Sequence, residues 1–344
     1  MSVKVDTFVG GLDQAAATAA AAKQAGYDGV WTGELSHDPF LPLAVAAPAA
    51  KPLDLGTSIV VAFARSPMTV AGTAWDLQAW SGGRFHLGLG SQVRAHIERR
   101  FSMPWSHPAP RMREFVLALR AIWASWQDGT PLHFEGDYYS HTLMTPAFNP
   151  GPLPGGPPKV LVAAVGTAMT RVAAEVADGL LVHSFTTRRY LNEVTLPVLH
   201  DALDKAGRTR AGFEVKYPPF VVTGSTEEEM GQAARAARER IAFYGSTPAY
   251  RPVLELHGWG QLQTELHELA GKGEWRAMGD LVDDEVLRAF SVVAPKEELP
   301  AALADWLGDA VDRTSIGADL GSPEEAGEVL RAFRAQVTAR AHGR

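Results

Sequence analysis

The sequence predicts an α/β fold, a (β/α)8 TIM barrel that carries insertion segments, and three observations lead to this prediction. Short apolar or β-branched runs alternate with alanine-rich helical stretches, which is the pattern of parallel strands joined by crossover helices. The length of 344 residues lies within the range of a single barrel domain. Glycines and polar residues follow directly after several predicted strands, at the end of a barrel where small molecules bind.

The predicted elements follow one another in the order that such a barrel requires. Apolar residues at helical spacing, for example Phe115, Leu119 and Ile122, indicate helices with one buried face. A last short strand at 314–316 brings the number of predicted strands to eight. The predicted strands are 3–9, 29–32, 55–62, 85–89, 159–163, 180–183, 213–222 and 314–316, and the predicted helices are 12–25, 41–50, 69–80, 114–126, 169–177 and one that runs through residue 203.

Two segments interrupt this alternation. Residues 128–158 are rich in proline and glycine, and residues 247–290 are rich in glycine, histidine and tryptophan without a strand period. We interpret both segments as insertions of loops and short helices. The domain prediction is therefore one barrel domain over residues 1–344, with insertions at about these two places.

The composition excludes several classes of site. The chain has no cysteine, which rules out disulfides, thiolate nucleophiles and cysteine-ligated metals. His96, His107 and His183 lack the spacing of metal ligands, so we expect no metal site. With 32 basic and 39 acidic residues the net charge is -7, which disfavours a nucleic-acid partner and favours a small-molecule ligand.

The sequence also lacks the signals of membrane insertion and export. No apolar run is long enough to cross a bilayer, so we expect no membrane partner. The segment 1–9 alternates polar and apolar residues and lacks the basic stretch, apolar run and cleavage site of a secretory signal. We therefore expect a cytoplasmic protein.

Candidate functional residues follow the second and third predicted strands. Glu34 and His37 come after the second strand, where a carboxylate and an imidazole can orient a ligand or move a proton. Arg65 follows the third strand, and its guanidinium suits an anion. The alternative is a pair of solvated loops in which these charges meet no ligand, and the residues alone leave both interpretations open.

The fourth predicted strand leads into a loop of small residues. Gly88 and Gly90 remove side chains where another group must approach the backbone closely. Ser91 and Gln92 then become candidate ligand contacts. A dinucleotide-binding fingerprint is disfavoured, because its third glycine position holds Val93.

The fifth and sixth predicted strands end in two further candidates. Gly166 and Thr167 stand where a helix begins, with Thr167 expected as the N-cap, so the free N–H groups of the first turn can bind a phosphate. Simple capping without a ligand explains the same residues equally well. His183 follows the sixth strand and is either a substrate contact or a satisfied core histidine.

Together these segments resemble the luciferase-like flavin oxidoreductase superfamily, and most closely its branch that uses the deazaflavin coenzyme F420. The resemblance extends over nearly the whole chain and is more specific for the superfamily than for the cofactor. It implies a bacterial luciferase-like TIM barrel and, by family habit, a homodimer. The matching segments are 26–34 (GYDGVWTGE), 55–59 (LGTSI), 65–67 (RSP), 81–90 (SGGRFHLGLG), 163–166 (AAVG) and 177–179 (ADG).

The resemblance also implies a cofactor site. Glu34 matches an acidic residue beside the flavin ring, whereas Leu35 stands where the family often has histidine. Ser58 and Ile59 match a non-proline cis peptide against the ring. Val93 replaces the carboxylate of sugar-phosphate-oxidising members. The catalytic candidates are thus Glu34 and His37, the cofactor candidates are Glu34, Ser58, Ile59, Arg65, Ser91, Gln92, His96, Ala164, Val165, Gly166 and Thr167, and the substrate candidates are Trp105, His107 and His183.

The leading hypothesis for the activity is hydride transfer between the deazaflavin C5 and a small organic substrate, in which the cofactor carries the chemistry and the barrel positions it. The first alternative is an FMN-dependent luciferase-like monooxygenase that uses reduced flavin and O2. The second is a flavin-binding protein without catalysis. Aldolases and metal-dependent barrels are disfavoured, because no Schiff-base lysine or ligand cluster stands at a predicted strand end.

Overall fold

The computed structural model describes residues 3–342, so residues 1 and 2 of the alternating segment 1–9 lie outside the described part. The strands are β1 (Lys4–Phe8), β2 (Gly29–Thr32), β3 (Asp54–Thr57), β4 (Val60–Val61), β5 (Phe85–Gly90), β6 (Phe134–Glu135), β7 (Ser140–His141), β8 (Lys159–Ala164), β9 (Gly179–Val182), β10 (Glu214–Lys216), β11 (Phe220–Val222), β12 (Ser291–Val293) and β13 (Arg313–Ser315). The helices are α1 (Ala15–Ala25), α2 (Leu41–Ala50), α3 (Pro67–Ser81), α4 (Arg94–Arg99), α5 (Pro108–Asp128), α6 (Thr167–Val176), α7 (Arg188–Tyr190), α8 (Leu196–Lys205), α9 (Glu227–Gly245), α10 (Arg251–Glu255), α11 (Gly260–Lys272), α12 (Trp275–Asp280), α13 (Asp284–Phe290), α14 (Leu299–Leu307) and α15 (Pro323–His342).

Parallel strands close into a barrel. One sheet runs in the order β3-β2-β1-β13-β10-β9-β8-β5-β4, and a further pairing of β3 with β5 closes it. Because β3 and β4 are successive parts of one strand, the barrel has eight strand positions. Helices surround these strands, and the main hydrophobic core fills the space between the two layers. The predicted (β/α)8 TIM barrel is confirmed.

Two predicted strands are divided in the structure. The predicted strand 55–62 becomes β3 and β4, and the peptide bond between Ser58 and Ile59 is cis, as the resemblance implies. The prediction of one strand over 213–222 is wrong, since Pro218 and Pro219 have no N–H groups to continue a ladder. As a result β10 stays in the barrel, while β11 pairs with β12 outside it.

Two excursions leave the barrel. Residues 129–158 contain the short antiparallel pair β6 and β7. The second excursion, residues 217–298, contains β11, β12 and the helices α9 to α13, and we call it the lobe; the following helix α14 packs in the main core of the barrel. The lobe has its own hydrophobic cluster, which includes Phe220, Ile241 and Phe290 and reaches back to Phe185 after β9. Within residues 3–342, no helix combines the length and the apolar character needed to span a membrane.

The inside of the barrel contains a buried ion network near the N-terminal ends of the strands. Arg313 Nε donates to Asp6 at 2.7 Å, and Arg313 Nη2 donates to Asp54 at 2.7 Å. Lys216 Nζ donates to Asp6 and also to Ser315 Oγ, the latter at 3.0 Å. These side chains plug the barrel from below, so any ligand has to enter from the C-terminal end of the strands.

Candidate active site

The C-terminal end of the barrel is a mouth lined mostly by small residues. Trp31, Leu161 and Leu181 form a buried apolar layer above the ion network. The residues two positions further along the chain lie at or just beyond the C-terminal ends of the same strands, and two of the three are glycine or alanine. The three residues are Gly33, Ala163 and His183. A Cβ on Gly33 would lie 3.1 Å from the carbonyl oxygen of Ser58, so the backbone at the cis peptide bounds the mouth on that side.

Glu34 and Arg65 form an ion pair beside this mouth. Both carboxylate oxygens of Glu34 accept from Arg65 Nη1, at 2.8 and 2.7 Å, and one of them also accepts from the Val61 N–H at 2.7 Å. Only 6% of the Glu34 side chain is exposed, against 22% of the Arg65 side chain. Arg65 Nη2 reaches Asp38 at 3.4 Å. The pair therefore holds β4 against the loop after β2, and the charge of Arg65 is balanced by carboxylates of this chain.

The groups that approach Gly88 and Gly90 belong to the neighbouring strand. A Cβ on Gly88 would lie 1.8 Å from the carbonyl oxygen of Thr57, whose Oγ1 already bonds the Gly88 N–H at 2.9 Å. A Cβ on Gly90 would lie 2.8 Å from Cδ1 of Ile59. The sequence correctly predicts a close approach at these glycines. The closest contacts are nevertheless made by β3 and by the residue that follows the cis bond.

The loop after β5 is fixed by its own hydrogen bonds. Ser91 Oγ donates to the Gln92 carbonyl at 3.2 Å, and Gln92 Oε1 accepts from the Val93 N–H at 2.9 Å. Gln92 has a φ of 61°, a left-handed conformation that is uncommon outside glycine. Both side chains are half-buried at the rim of the mouth.

The N-terminus of α6 follows β8 at the same rim. The N-cap is Gly166, so the prediction that Thr167 caps the helix is wrong by one residue, and the helix has no side-chain cap. The Thr170 hydroxyl and N–H both donate to the Gly166 carbonyl, at 3.1 and 3.2 Å. A Cβ on Gly166 would meet nothing within 4 Å. The space at the Cβ position of Gly166, beside the uncapped first turn, is therefore open.

Three candidate histidines lie at the surface. His37 is exposed in the loop after β2, and His96 is exposed on α4. His107 is exposed before α5, with a φ of 34°. Trp105 is half-buried and packs edge-on against Phe63, with ring centroids 5.9 Å apart. In the described part of the chain, no group of three or more His, Asp or Glu side chains can hold a metal ion.

His183 follows β9 and is held in one orientation. Its Nδ1 accepts from the Phe185 N–H at 3.0 Å, so the proton of the neutral ring sits on Nε2. Burial lowers the pKa of His183 to about 4, and the charge of Arg240 acts in the same direction. The rings of Tyr244 and Tyr250 pack against the imidazole, with centroid distances of 4.6 and 5.1 Å. His183 is therefore uncharged at neutral pH.

Sequence reasoning missed Tyr244 and Tyr250, because the strand-end rule covers only loops that follow barrel strands. Both tyrosines belong to the lobe, which folds back over the mouth at His183. The only signal in the sequence is that Tyr250 lies in the predicted insertion 247–290 and that Tyr244 comes three residues before it.

One lysine does stand at the end of a barrel strand. Lys216 is the last residue of β10, but the single predicted strand over 213–222 placed it in the middle of an element. Burial lowers the pKa of Lys216 to about 8. Its Nζ bonds Asp6 and Ser315 and lies 4.1 Å from the ring centroid of Trp31. Enclosed and paired below the apolar layer, this amine does not reach the mouth, and nothing supports a Schiff-base role.

Comparison with known proteins places this geometry in a family. The sequence profile of luciferase-like monooxygenases matches residues 3–314. An uncharacterized protein of Mycobacterium tuberculosis is 54% identical over 323 residues, which are 94% of this chain and 95% of the relative. The 5,10-methylenetetrahydromethanopterin reductase of Archaeoglobus fulgidus is 26% identical over 310 residues, which are 87% of this chain and 88% of the relative.

A solved structure shows the same fold. The coenzyme F420 dependent tetrahydromethanopterin reductase from Methanopyrus kandleri superposes with a TM-score of 0.79 at 21% sequence identity, over 99% of each chain. The family profile covers nearly all of the barrel, from β1 into β13. The chain therefore belongs to the luciferase-like monooxygenase family.

Proposed function

We propose that the protein is an oxidoreductase that binds coenzyme F420 and transfers a hydride between the deazaflavin C5 and a small organic substrate. The observation that carries the proposal is the uncapped N-terminus of α6, which has open space at the Cβ position of its N-cap Gly166 and lies at the C-terminal end of the barrel. A helix N-terminus of this kind binds a phosphate, and the coenzyme F420 reductase named above has the same fold. The 26% identical reductase of Archaeoglobus fulgidus supports a redox reaction of the same general class.

The residues present fit such a cofactor. We assign Gly166 and Thr167, with the backbone of Ala164 and Val165, to the phosphate, because the first-turn N–H groups have no side-chain cap. Ser58 and Ile59 would support the ring, since Ile59 packs on the apolar layer under the mouth. Ser91, Gln92 and the exposed His96 are assigned to the rim between ring and phosphate, because they lie on the loop after β5 and on α4.

The side chains of the mouth position and shield the cofactor rather than replace its chemistry. When bound, the deazaflavin supplies the hydride donor or acceptor. Glu34 is already bonded by Arg65 and by the Val61 N–H, so we assign it to holding β4 in place and not to proton transfer. Trp31 closes the barrel below and excludes water from that side. We assign proton transfer to His37, because it is exposed whereas Glu34 is buried and bonded. We assign the substrate side of the mouth to Trp105, His107 and His183.

Titration of the purified protein with F420 and with FMN tests the proposal. We expect F420 to bind at least about tenfold more tightly than FMN, a difference of about 1.4 kcal/mol. Gly166→Asp should abolish F420 binding, because its carboxylate would occupy the space in front of the first turn. Gly231→Asp is the matched control, since a Cβ on Gly231 also meets nothing within 4 Å but lies on α9 in the lobe. Equal binding of the two cofactors, or equal affinity of the two variants, would contradict the proposal.

The second candidate function is an FMN-dependent monooxygenase, which the description of the family profile favours. It predicts preferential binding of FMN and substrate-dependent consumption of O2 when reduced FMN is supplied. An F420-specific protein would show neither, so the same titration separates the two candidates.

We further propose that residues 1–344 form one catalytic domain with the lobe as an insertion, and that the enzyme works as a homodimer in the bacterial cytoplasm. The mycobacterial relative with 54% identity supports a bacterial setting. Light scattering of the purified protein measures the oligomeric state, and a monomer at assay concentration would reject the dimer.

A further inference from the structure

We infer that His183 binds an uncharged oxygen of the substrate, a carbonyl or a hydroxyl group, through its Nε2–H. This inference rests on the proposed function, because it assumes that the mouth of the barrel holds a substrate. It names the substrate class that the proposed reaction leaves open.

The position of His183 places it at the mouth of the barrel. Leu181 belongs to the apolar layer inside the barrel with Trp31, and β9 ends at Val182, so His183 is the first residue past the C-terminal end of this strand. Ligand-binding residues of a barrel stand at these C-terminal strand ends. The ring therefore stands between the apolar layer and the lobe, at the side of the mouth that the lobe covers.

The hydrogen bonds of the imidazole leave one donor free. Nδ1 is used by the Phe185 N–H at 3.0 Å, which places the ring proton on Nε2. Nε2 has no hydrogen-bond partner among residues 3–342, and it is not one of their fully enclosed polar atoms without a partner. It therefore keeps accessible surface and offers one N–H to a bound molecule.

The aromatic side chains of the lobe prevent the ring from turning. Tyr244 packs perpendicular to the imidazole, with an interplanar angle of 84°, and Tyr250 packs from another side. Phe185 stacks on Tyr250 and on Phe290, at centroid distances of 5.7 and 4.5 Å. Phe185 is the residue whose N–H holds Nδ1, so the same cluster fixes the backbone donor and the ring that accepts from it.

The surroundings of His183 select an uncharged ligand. The charged or titratable groups packed near it are Arg240, Tyr244 and Tyr250, and no carboxylate of the described residues lies within ion-pair distance of its ring. Burial raises the pKa of Tyr250 to about 12, so this phenol also stays neutral. Arg240, the nearby cation, is exposed on α9 with its guanidinium over the ring of Phe220 at 5.2 Å. An anion at Nε2 would therefore lose its hydration without direct contact to a cation, whereas a carbonyl or hydroxyl oxygen needs only the one donor.

Nitrogen NMR of the histidine side chains tests the geometry without any turnover. In protein labelled with ¹⁵N-histidine, the signals lost in His183→Phe belong to this ring. We expect the Nε2–H tautomer, with no titration from about pH 5.5 to about pH 8.5, where an ordinary histidine titrates. Cyclohexanone should shift the Nε2 signal, whereas cyclohexanecarboxylate should not. A ring that titrates near its ordinary pKa, an Nδ1–H tautomer, or an Nε2 signal that ignores cyclohexanone would overturn the inference.

Binding measurements on variants separate the donor from the packing. His183→Phe keeps an aromatic ring between the tyrosines but removes the donor, and His183→Gln keeps an N–H donor but removes the ring. We expect His183→Phe to weaken cyclohexanone binding about tenfold and His183→Gln to weaken it less. His200→Gln, on the exposed face of α8, is the matched control and should bind as the parent protein does.

The two proposals fail in different ways. If F420 does not bind the parent protein, the proposed function is wrong, while the tautomer and the ketone-induced shift still report on His183. If F420 binds all three variants with parental affinity but His183→Phe binds cyclohexanone as tightly as the parent protein, only the assignment of His183 is wrong.

Discussion

The N-terminal and C-terminal halves of the barrel interior are filled in opposite ways. In the N-terminal half, Asp6 and Arg313 are fully buried and bond each other, and the interior is closed by charged side chains. In the C-terminal half, the positions after the apolar layer are mostly glycine and alanine, such as Gly33 and Ala163. The ion network fills the N-terminal half and stabilises the fold, whereas the small residues at the C-terminal half leave room for a ligand. Substitutions at the first end should therefore reduce stability, and substitutions at the second should reduce ligand affinity.

The largest effect is expected at Arg313. Its guanidinium joins three carboxylates, Asp6 and Asp54 at 2.7 Å each and Glu214 at 3.5 Å. Arg313→Met would leave these carboxylates buried without their cation, so we expect the free energy of unfolding to fall by about 3–5 kcal/mol. Urea unfolding followed by circular dichroism measures the loss.

The control for Arg313 is a cation with an exposed partner. Lys205 pairs with Asp201 on the surface of α8, at 2.7 Å, and Lys205→Met should change stability by less than about 0.5 kcal/mol. F420 affinity of folded Arg313→Met should equal that of the parent protein, because the network lies below the apolar layer. If Arg313→Met cost no more than the control, the ion network would not be what stabilises this end.

Two glycines beneath the mouth should differ in their tolerance of a methyl group. A Cβ on Gly88 would meet a backbone oxygen at 1.8 Å, and backbone cannot move aside cheaply. A Cβ on Gly90 would meet the end of the Ile59 side chain at 2.8 Å, which can rotate. We expect Gly88→Ala to reduce the free energy of unfolding by about 3 kcal/mol and Gly90→Ala by about 1 kcal/mol.

Thermal unfolding of both variants, with F420 titrations alongside, checks this expectation. Gly90→Ala moves Ile59, which we assign to the cofactor ring. Its loss of F420 binding free energy should therefore exceed its loss of unfolding free energy. Equal destabilisation of the two variants would mean that the strand positions around Thr57 adapt more easily than their contacts indicate.

The barrel could be predicted from the sequence because its signal is periodic and local. β9, with the sequence GLLV, is a continuous apolar run, and β2 and β5 are buried along their whole length, as expected for parallel strands covered on both faces. The predicted strand 213–222 was wrong because its apolar residues continue past Pro218 and Pro219, and the sequence does not say which half pairs with the barrel.

The candidate site was predictable in place but not in detail. The strand-end rule located Glu34 and Arg65 at one rim, yet it could not show that they bond each other, because their positions in the sequence are far apart. The same limit applies to Tyr244 and Tyr250. They reach His183 only through the packing of the lobe, for which the sequence offers no local signal.

Acid should reveal a buried histidine at the closed end of the barrel. Burial, together with the charge of Arg313, lowers the pKa of His86 from the ordinary value of 6.5 to about 4, although Asp54 and Glu214 lie 3.9 and 4.0 Å from its ring nitrogens. The unfolded chain therefore takes up this proton first as the pH falls. The stability that His86 contributes above pH 6.5 is lost progressively as the pH falls towards 4.

For His86 alone, lowering the pH from about 7 to about 5 should cost about 2 kcal/mol of unfolding free energy. Urea unfolding at the two pH values measures this loss, and in His86→Gln the loss should be smaller by that amount. His183, at the open end, has a pKa lowered to about 4 by burial and should contribute a similar acid sensitivity, which His183→Phe removes. If neither substitution flattened the pH dependence, both rings would take up a proton as readily in the folded protein as in the unfolded chain.

A small effect is expected at Glu34, which combines features of both ends of the barrel. Its carboxylate is nearly buried like the ion network, but it stands at the mouth and holds β4 through Arg65 and the Val61 N–H. Glu34→Gln keeps an acceptor for the Val61 N–H but removes the charge that pairs with Arg65. Because Arg65 is partly exposed to water, we expect the free energy of unfolding to fall by only about 1–2 kcal/mol. F420 affinity should fall as well, because β4 continues directly from Ser58 and Ile59. Asp38→Asn is the matched control: Asp38 lies 3.4 Å from Arg65 and is more exposed, and the amide oxygen can still accept from the Phe40 N–H. If Asp38→Asn lowered affinity and stability as much as Glu34→Gln, the role of Glu34 would be general charge balance at Arg65, and the mouth would not depend on the bond to Val61.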